Sequence, residues 1–582
     1  MTQPRLGRGK LGGHDRSIQG FNGLVSATHY NATQAGIGIL EAGGNAVDAG
    51  VAAGLCLGVV QCDIVNIGGV APIIYREAAT GRITTVAGLG GWPKLASVEH
   101  FRAAHGGHIP AGILRTVVPG APDAWITMLR DFGTMSFGEV AKAAIGYARD
   151  GFAMYTLLAN SLSKAATQYA RWPSSAAIYL PNGRPPLPGE RFVQADLGRS
   201  LQYMADQERA AAAKGGRAAG LQAAHDAFYR GDIAAAIVKY HVENGGWLRA
   251  DDLAEYRSEV APPVTTRYRG MELHTCGAWC QGPALPQVLK MLERDDLAAL
   301  GHNSPAYIHL LTEAVKLVFA DRERYYGDPR QVDVPLLELL SDDYAALRRG
   351  LIDPNKAWPE MPPAGDPRSR RATTGGAMPE RRAAVRMPEQ DTSYVCTVDK
   401  AGNLFSATPS DGSSEAPVIP GTGLIASGRG SQSFTTPGHA SMVAPGRRPR
   451  LTPNPAIAMN EDAMLAFGTP GGDVQTQAMA QVLLNVAIFG MDVQAAIDMP
   501  RFASYSFPSS FEPHDYHPGL LKLEDRLPKQ TAAALEKLGH KIEWWPDFTW
   551  LAGAVCMIVA ERDTGLRMAG ADPRRHSQAA AV

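Results

Sequence analysis

The chain has 582 residues, of which 45% are apolar and 19% are charged, so a large core is available and global disorder is not expected. Its 56 Lys and Arg residues nearly balance 57 Asp and Glu residues, which excludes the strongly basic surface of a nucleic-acid or anionic-membrane binder. The amino terminus lacks the apolar segment of a secretory signal, and the most apolar early stretch, residues 47–60, is shorter than the ~20 residues that span a bilayer. We therefore expect a soluble, cytoplasmic protein with no nucleic-acid or membrane partner.

Local patterns in the first hundred residues predict a loose arm, a buried helix and a hairpin. Residues 1–20 are polar and rich in glycine, which is typical of a loose arm. Asn45 and Asp48 are typical of a helix start, and the small apolar residues 46–60 predict a buried helix. Residues 67–86 contain two strand-like runs around a turn, which predicts a hairpin.

The clearest change in composition divides the chain near residue 391. Helical patterns dominate residues 121–340. Residues 354–390 are rich in Pro, Gly and Arg and contain almost no bulky apolar residues, which predicts an exposed, mobile linker. Directly after this linker, residues 392–399 alternate as a β-strand does, and residues 404–408 read as the return strand of a hairpin.

The common short catalytic motifs are absent from the sequence. There is no P-loop, no H-E-x-x-H motif and no G-x-S-x-G turn. Six cysteines over this length do not form a disulfide framework, and no group of His and Cys has the spacing of a metal site. Composition and motif spacing therefore indicate a large α/β protein and leave its chemistry open.

Blocks spread along the chain in one order resemble the γ-glutamyltransferase family. The first block, residues 41–49, reads EAGGNAVDA and is similar to the family's signature helix. The further blocks are residues 67–69, 118–120, 147–152, 228–231, 252–256, 319–325, 468–472 and 500–502. Together they extend from about Val25 to Val559, so the resemblance covers nearly the whole chain.

The resemblance implies an α+β fold of the N-terminal-nucleophile hydrolases, a four-layer αββα sandwich with a largely helical lobe from the large subunit. Members of this family are made as a zymogen that cuts itself before a threonine, which matches Thr392 here. We therefore expect a large subunit of residues 1–391 and a small subunit of residues 392–582, which stay together as a heterodimer. The resemblance implies no metal and no organic cofactor, and it leaves further assembly open.

The implied chemistry is acyl transfer to the hydroxyl of Thr392. Cutting the chain frees an α-amine of pKa about 7.7–8.0 that can serve as the base. The backbone N–H groups of Gly471 and Gly472 match the family's oxyanion donors. Ser410 matches a hydroxyl that hydrogen-bonds the nucleophile, and Thr452 matches a hydroxyl near the substrate. Read locally, without the family, these residues are an ordinary strand threonine and ordinary turn residues.

Several positions depart from the family's γ-glutamyl recognition pattern. Leu89 stands where the family has an arginine, Gly412 replaces an asparagine and Ser433 replaces an acidic residue, while Leu451 replaces the first of two adjacent hydroxyl residues. An α-carboxylate in a desolvated site needs a charged partner, so these changes predict weak γ-glutamyl recognition. Arg429 is a new cation in this region and could meet an anionic acyl group, although a solvated loop arginine is the simpler interpretation.

These observations favour a self-processing amide hydrolase that acts on a small non-γ-glutamyl amide. Glutaryl-type β-lactam side-chain acylases and oxamate amidohydrolases diverge from the family in a similar way. Two alternatives remain at the level of sequence. The chain is then either a γ-glutamyltransferase or glutathione hydrolase with a rebuilt recognition site, or an inactive binding protein of the same fold. Transfer to an acceptor amine, rather than to water, also stays open.

Overall fold

The computed structural model describes Leu6, residues 16–373 and residues 392–582. Most of the expected arm, residues 1–5 and 7–15, lies outside the described residues. So do residues 374–390 of the expected linker, together with Asp391.

The strands are short and almost all antiparallel. In chain order they are β1 (Ile18–Gly20), β2 (Leu24–Ala27), β3 (Ile73–Arg76), β4 (Ile83–Val86), β5 (Phe152–Ala153), β6 (Arg191–Phe192), β7 (Val260–Ala261), β8 (Val264–Tyr268), β9 (Met271–Thr275), β10 (Val395–Val398), β11 (Leu404–Ala407), β12 (Val418–Ile419), β13 (Leu424–Ile425), β14 (Ala456–Met459), β15 (Ala463–Gly468), β16 (Phe502–Ser504), β17 (Leu520–Glu524), β18 (Lys541–Trp545), β19 (Cys556–Glu561), β20 (Arg567–Ala571) and β21 (Gln578–Ala581).

Helices fill most of the chain before residue 350 and return after β15. They are α1 (Tyr30–Glu41), α2 (Ala46–Val60), α3 (Val98–His105), α4 (Ala121–Phe132), α5 (Phe137–Asp150), α6 (Thr156–Lys164), α7 (Ala166–Tyr169), α8 (Pro173–Tyr179), α9 (Ala195–Tyr229), α10 (Asp232–Glu243), α11 (Ala250–Ala254), α12 (Ala284–Met291), α13 (Leu297–Leu300), α14 (Pro305–Tyr325), α15 (Leu336–Leu339), α16 (Asp342–Arg349), α17 (Gln475–Ala487), α18 (Val493–Asp498) and α19 (Lys529–Lys537). Helix α9 is interrupted at Gly216, whose φ is 75°.

Two seven-stranded sheets form the centre of the molecule. The first has the order β1-β20-β19-β15-β14-β9-β8, and the second has the order β21-β2-β10-β11-β3-β4-β7. Both sheets mix strands from the two predicted subunits, because β14 pairs with β9 in the first sheet and β10 pairs with β2 in the second. The predicted small subunit therefore supplies central strands to sheets that the predicted large subunit completes.

The sheets face each other, and helices cover both outer faces. Between the sheets lies an apolar cluster formed by Leu24, Ile74, Tyr394, Cys396, Val398 and Leu404 from or beside the second sheet and Ile457, Ala466, Cys556, Ile558 and Ala569 from the first. Helices α2, α4 and α5 share a core with the outer face of the second sheet. Helices α12, α14 and α17 share a core with the outer face of the first. The predicted αββα sandwich is confirmed.

Helix α2 shows why the local sequence signal was strong. Its bounds coincide with the predicted range 46–60, and all 15 of its residues are buried. The Asn45 side chain accepts from the backbone of Asp48, and the Asp48 side chain accepts from the backbone of Asn45, which satisfies donors that a helix start leaves open. Asp48 also accepts from Thr134, so the cap joins α2 to the turn before α5.

The two segments expected to be loose are partly ordered. Residues Ile18–Gly20 of the arm pair with β20 at the edge of the first sheet. In the predicted linker, Ala357 and Met361 are buried, and the backbone N–H of Trp358 donates to Glu313. Residues 357–361 thus differ from an exposed linker, because apolar side chains scattered among the prolines reach the core beside α14. Among the helices of the described residues, none has the length and hydropathy needed to cross a bilayer.

Candidate active site

Thr392 lies at the entrance to β10, in the middle of the second sheet. The antiparallel pairing of β10 with β11 brings it opposite Ser410, which follows β11. The two side-chain oxygens, Thr392 Oγ1 and Ser410 Oγ, are 2.9 Å apart, and neither residue is exposed. The backbone of Ser410 is held in turn by two hydrogen bonds with Val70, of 2.9 and 3.1 Å. The fold therefore brings together the predicted nucleophile and its predicted hydroxyl partner.

Arg429 is part of this site and is not a solvated loop arginine. Its side chain is 2% exposed, and its guanidinium donates to Ser410 Oγ. The guanidinium also lies 3.9 Å from Asp411 and has its central carbon 5.4 Å from the ring centre of Phe511. The interpretation of Arg429 as a solvated loop residue is wrong, because the short 3-10 turn that begins at Arg429 is buried and directs the side chain toward the nucleophile.

Asp411 holds the loop that carries Arg429. Its carboxylate accepts from the hydroxyl of Ser427 and from the backbone N–H of Gly428. Its backbone has a φ of 136°, which is costly for a residue with a side chain and is found at sites where the surroundings impose it. Burial raises the pKa of Asp411 to about 6, although the Arg429 cation opposes this shift.

The predicted oxyanion glycines form a turn between β15 and α17. Gly471 has a φ of 121° and Gly472 a φ of 55°, conformations that disfavour other residues. A short 3-10 turn, Gly472–Val474, leads from these glycines into α17, and in it the N–H of Val474 donates to Gly471 O and the N–H of Gln475 donates to Gly472 O, so the carbonyl groups of both glycines are engaged. The turn can therefore present N–H groups to a developing oxyanion.

The side chain of Gln475, the first residue of α17, connects this turn to the nucleophile. Its amide lies 3.4 Å from Thr392 Oγ1. In the orientation that suits its neighbours, the amide nitrogen donates to Thr452 O and to Thr469 O, both at 3.2 Å. The amide oxygen then faces the Thr392 hydroxyl and can accept from it.

Thr452 lies on the other side of the same turn and is fully buried. Its hydroxyl accepts from the Gln432 amide at 3.1 Å, and its carbonyl accepts from the Gln281 amide at 2.9 Å. Gln432 also lies 3.4 Å from Arg429 Nη1. Hydrogen bonds thus connect the predicted substrate residues Thr452 and Arg429 to each other.

Two of the replaced recognition positions lie in a buried apolar cluster beside Ser410. Leu89 and Leu451 belong to one buried cluster with Val70, whose backbone pairs with that of Ser410. Ser433 is buried, and its hydroxyl accepts from the indole N–H of Trp92 at 2.9 Å. Around these positions the chain therefore has apolar side chains and one hydroxyl that already accepts a hydrogen bond, in place of residues that would recognise a γ-glutamyl group.

Gly412, the fourth replaced position, follows Asp411 directly. A Cβ added to Gly412 would lie 3.4 Å from the side chain of Glu415, which is ordinary van der Waals contact. Glu415 itself is buried and paired with Arg115. This buried ion pair therefore borders the Gly412 position.

Sequence reasoning missed three residues that contact the site. Gln281 and Gln475 are isolated buried glutamines, and no motif or spacing marks such residues. Arg575, near the carboxyl terminus, donates to the carbonyl of Thr392 at 3.1 Å. Burial lowers the pKa of Arg575 to about 10. Arg575 comes close to the nucleophile because β21, which follows it in the chain, pairs with β2, and no local pattern predicts this pairing.

One group among the described residues has the composition of a metal site, and it lies elsewhere. His309, Glu313 and His540 place one ligand atom each within 4.8 Å of one another. Glu313 is already paired with the buried Lys316 at 2.7 Å, and the two histidines hydrogen-bond each other at 2.9 Å. The ammonium group supplies the positive charge at this cluster, so we assign it no metal.

Comparison with known proteins extends the resemblance over nearly the whole chain. A family model described as Gamma-glutamyltranspeptidase matches residues 32–582. The Acylase ACY 1 proenzyme of Pseudomonas sp. (strain SE83) is 33% identical over 541 residues, which cover 90% of this chain and 88% of that protein. The Glutathione hydrolase-like YwrD proenzyme of Bacillus subtilis (strain 168) is 29% identical over 574 residues, 98% of this chain and 100% of that protein. The crystal structure of cephalosporin acylase from Bacillus halodurans superimposes with a TM-score of 0.84 at 27% identity and covers 98% of each chain.

Proposed function

This chain belongs to the gamma-glutamyltranspeptidase family, and on that premise we propose that it cuts itself before Thr392 and then hydrolyses a small amide whose acyl group is not γ-glutamyl. The chain is an enzyme of the self-processing, N-terminal-nucleophile kind, related to acylases and glutathione hydrolases. The observation that carries the proposal is the 2.9 Å contact between Thr392 Oγ1 and Ser410 Oγ beside the glycine turn.

The proposed reaction has two steps. The freed α-amine of Thr392 takes the proton of its hydroxyl, and Oγ1 forms a bond to the amide carbonyl carbon. The N–H groups of Gly471 and Gly472 stabilise the oxyanion, and the amine gives the proton to the leaving nitrogen as the amide C–N bond breaks. In the second step the amine takes a proton from water as the water oxygen attacks the ester carbonyl carbon; the bond from that carbon to Oγ1 then breaks, Oγ1 receives the proton, and the carboxylic acid leaves. Ser410 holds the Thr392 hydroxyl in place before the first step.

The substrate proposal rests on the charge and shape of the site. Leu89 and Leu451 share a buried cluster with Val70, whose backbone pairs with that of Ser410, and the guanidinium of Arg429 donates to Ser410 Oγ. A buried guanidinium favours a carboxylate, because a charge-assisted bidentate contact compensates for desolvation. We therefore assign the acyl group to a dicarboxylic acid held by one amide bond, without the α-amine of a γ-glutamyl group.

A panel of anilides tests this assignment with the purified wild-type protein. The panel contains glutaryl, succinyl, pentanoyl and γ-glutamyl anilides together with glutathione. We expect the highest kcat/KM for a diacid anilide, at least tenfold above the uncharged pentanoyl compound, since one charge-assisted contact is worth about 1.5–3 kcal/mol. Preferential turnover of the γ-glutamyl anilide and glutathione would instead identify a glutathione hydrolase. Thr392→Ala is the control for background hydrolysis.

A further inference from the structure

Gln281 is a fully buried side chain that bridges the glycine turn and the strand region of Thr452. It lies in the loop between β9 and α12, within the predicted large subunit. Its amide nitrogen donates to Gly472 O at 3.0 Å and to Thr452 O at 2.9 Å. Its backbone N–H donates to Leu451 O at 2.8 Å. One residue of the large subunit thus contacts both sides of the small-subunit pocket.

The orientation of the Gln281 amide is determined by Arg322. The Arg322 guanidinium donates to Gln281 Oε1 at 2.8 Å, and because arginine is only a donor, the amide nitrogen must face the two carbonyl groups. Arg322 is itself fully buried, and it pairs with Asp473 at 2.5 Å and with Glu323 at 2.9 Å. Asp473 directly follows Gly472, so the guanidinium and the amide hold consecutive residues of the same turn.

From these contacts we infer that Gln281 is a positioning residue that orients the oxyanion-binding turn and couples it to the acyl pocket; this inference rests on the proposed function. Two adjacent glycines with positive φ are conformationally free by themselves. Oxyanion stabilisation requires donors that are fixed before the reaction. The hydrogen bond from Gln281 to Gly472 O restrains the peptide group next to the donors, and the bond to Thr452 O places the pocket wall at a set distance from them.

The test compares Gln281→Glu with the matched change Gln481→Glu in the mature enzyme. Glutamate has nearly the same shape, but its ionised carboxylate accepts only, so it loses both bonds and faces two carbonyl oxygens. We expect kcat on the best panel substrate to fall about 10- to 100-fold with KM changed less than about threefold. Gln281→Met, which removes the donors without adding charge, should move kcat in the same direction by a smaller factor.

Gln481 offers the control because it is an equally buried glutamine in α17. Its amide nitrogen donates to Gln477 O at 3.0 Å and to Phe502 O at 2.8 Å, away from the nucleophile. We expect Gln481→Glu to lower the melting temperature and leave kcat close to the wild-type value. A fall in kcat with little change in KM that occurs only in the Gln281 variants supports a positioning role. A purely structural role would instead lower the stability of the Gln281 and Gln481 variants alike.

The outcomes separate this inference from the function it rests on. A wild-type protein that is uncut and inactive on every amide refutes the proposed function. A cut, active wild type whose Gln281→Glu and Gln281→Met variants keep kcat within about threefold refutes the positioning role alone. Failure of both Gln281 variants to mature, while Gln481→Glu matures, would also overturn it in favour of a purely structural role.

Discussion

Replacing Ser410 with alanine removes one oxygen from the centre of the site. Ser410 Oγ lies 2.9 Å from Thr392 Oγ1 and accepts a hydrogen bond from the buried guanidinium of Arg429. Alanine therefore releases the nucleophile from its hydroxyl partner and leaves a buried cation without one of its acceptors. A buried hydrogen bond to a charged group is worth about 1.5–3 kcal/mol. We expect kcat/KM to fall about 10- to 100-fold, since about 1.4 kcal/mol corresponds to a factor of ten.

The assay follows initial rates on the best anilide and the fraction of cut chain after expression. Ser410→Thr keeps the hydroxyl and should recover most of the activity. Ser406→Ala is the matched control, because Ser406 is a buried serine on β11 whose hydroxyl lies 2.6 Å from Tyr394 OH. It should cost about 1 kcal/mol of stability without changing kcat. Full activity of Ser410→Ala, with normal self-cleavage, would refute the assigned role of this hydroxyl.

Two further predictions concern Asp411 and Thr392. The pKa of Asp411 is raised to about 6 by burial, against about 3.9 in an unfolded chain, so the folded state holds this proton more tightly. The unfolding free energy of the wild type, relative to Asp411→Asn, should therefore decrease by up to about 3 kcal/mol as the pH rises from about 4 to about 6. Denaturant titrations of both proteins across this pH range check the prediction. Parallel curves of unfolding free energy against pH would contradict it. Thr392→Ser should still cut itself, which electrophoresis will show, and should turn over amides more slowly than the wild type, which rate measurements will show. An active Thr392→Ala variant would exclude Thr392 as the nucleophile.

Local sequence patterns were sufficient for the elements but not for their arrangement. Helix α2 and the hairpin of β3 and β4 were predicted because their caps, turns and apolar periods lie within a few residues of one another. The pairing of β2 with both β10 and β21 joins segments from opposite ends of the chain. No local period records such a contact, and the four-layer arrangement was available only through the family resemblance.

The residues of the candidate site were likewise predictable from the sequence only in part. Thr392, Ser410 and the glycine pair were named from the motif order, and the fold brings Thr392 and Ser410 together. Arg429 looked like a solvated residue because its neighbours in sequence are small and polar, and its burial depends on packing by distant residues such as Phe511. Gln281 and Arg575 were missed because a lone polar residue in a loop carries no signal until the fold places it, here against the glycine turn for Gln281 and against the Thr392 carbonyl for Arg575.

The central claim is that Thr392 becomes a chain terminus and acts through its own amine. Intact-mass spectrometry of the purified, active protein tests it most directly. The account predicts two polypeptides that together make up the 582-residue chain, the smaller one beginning at Thr392 and ending at Val582. Active material that contains only the uncut polypeptide, or a small chain beginning at another residue, would contradict it.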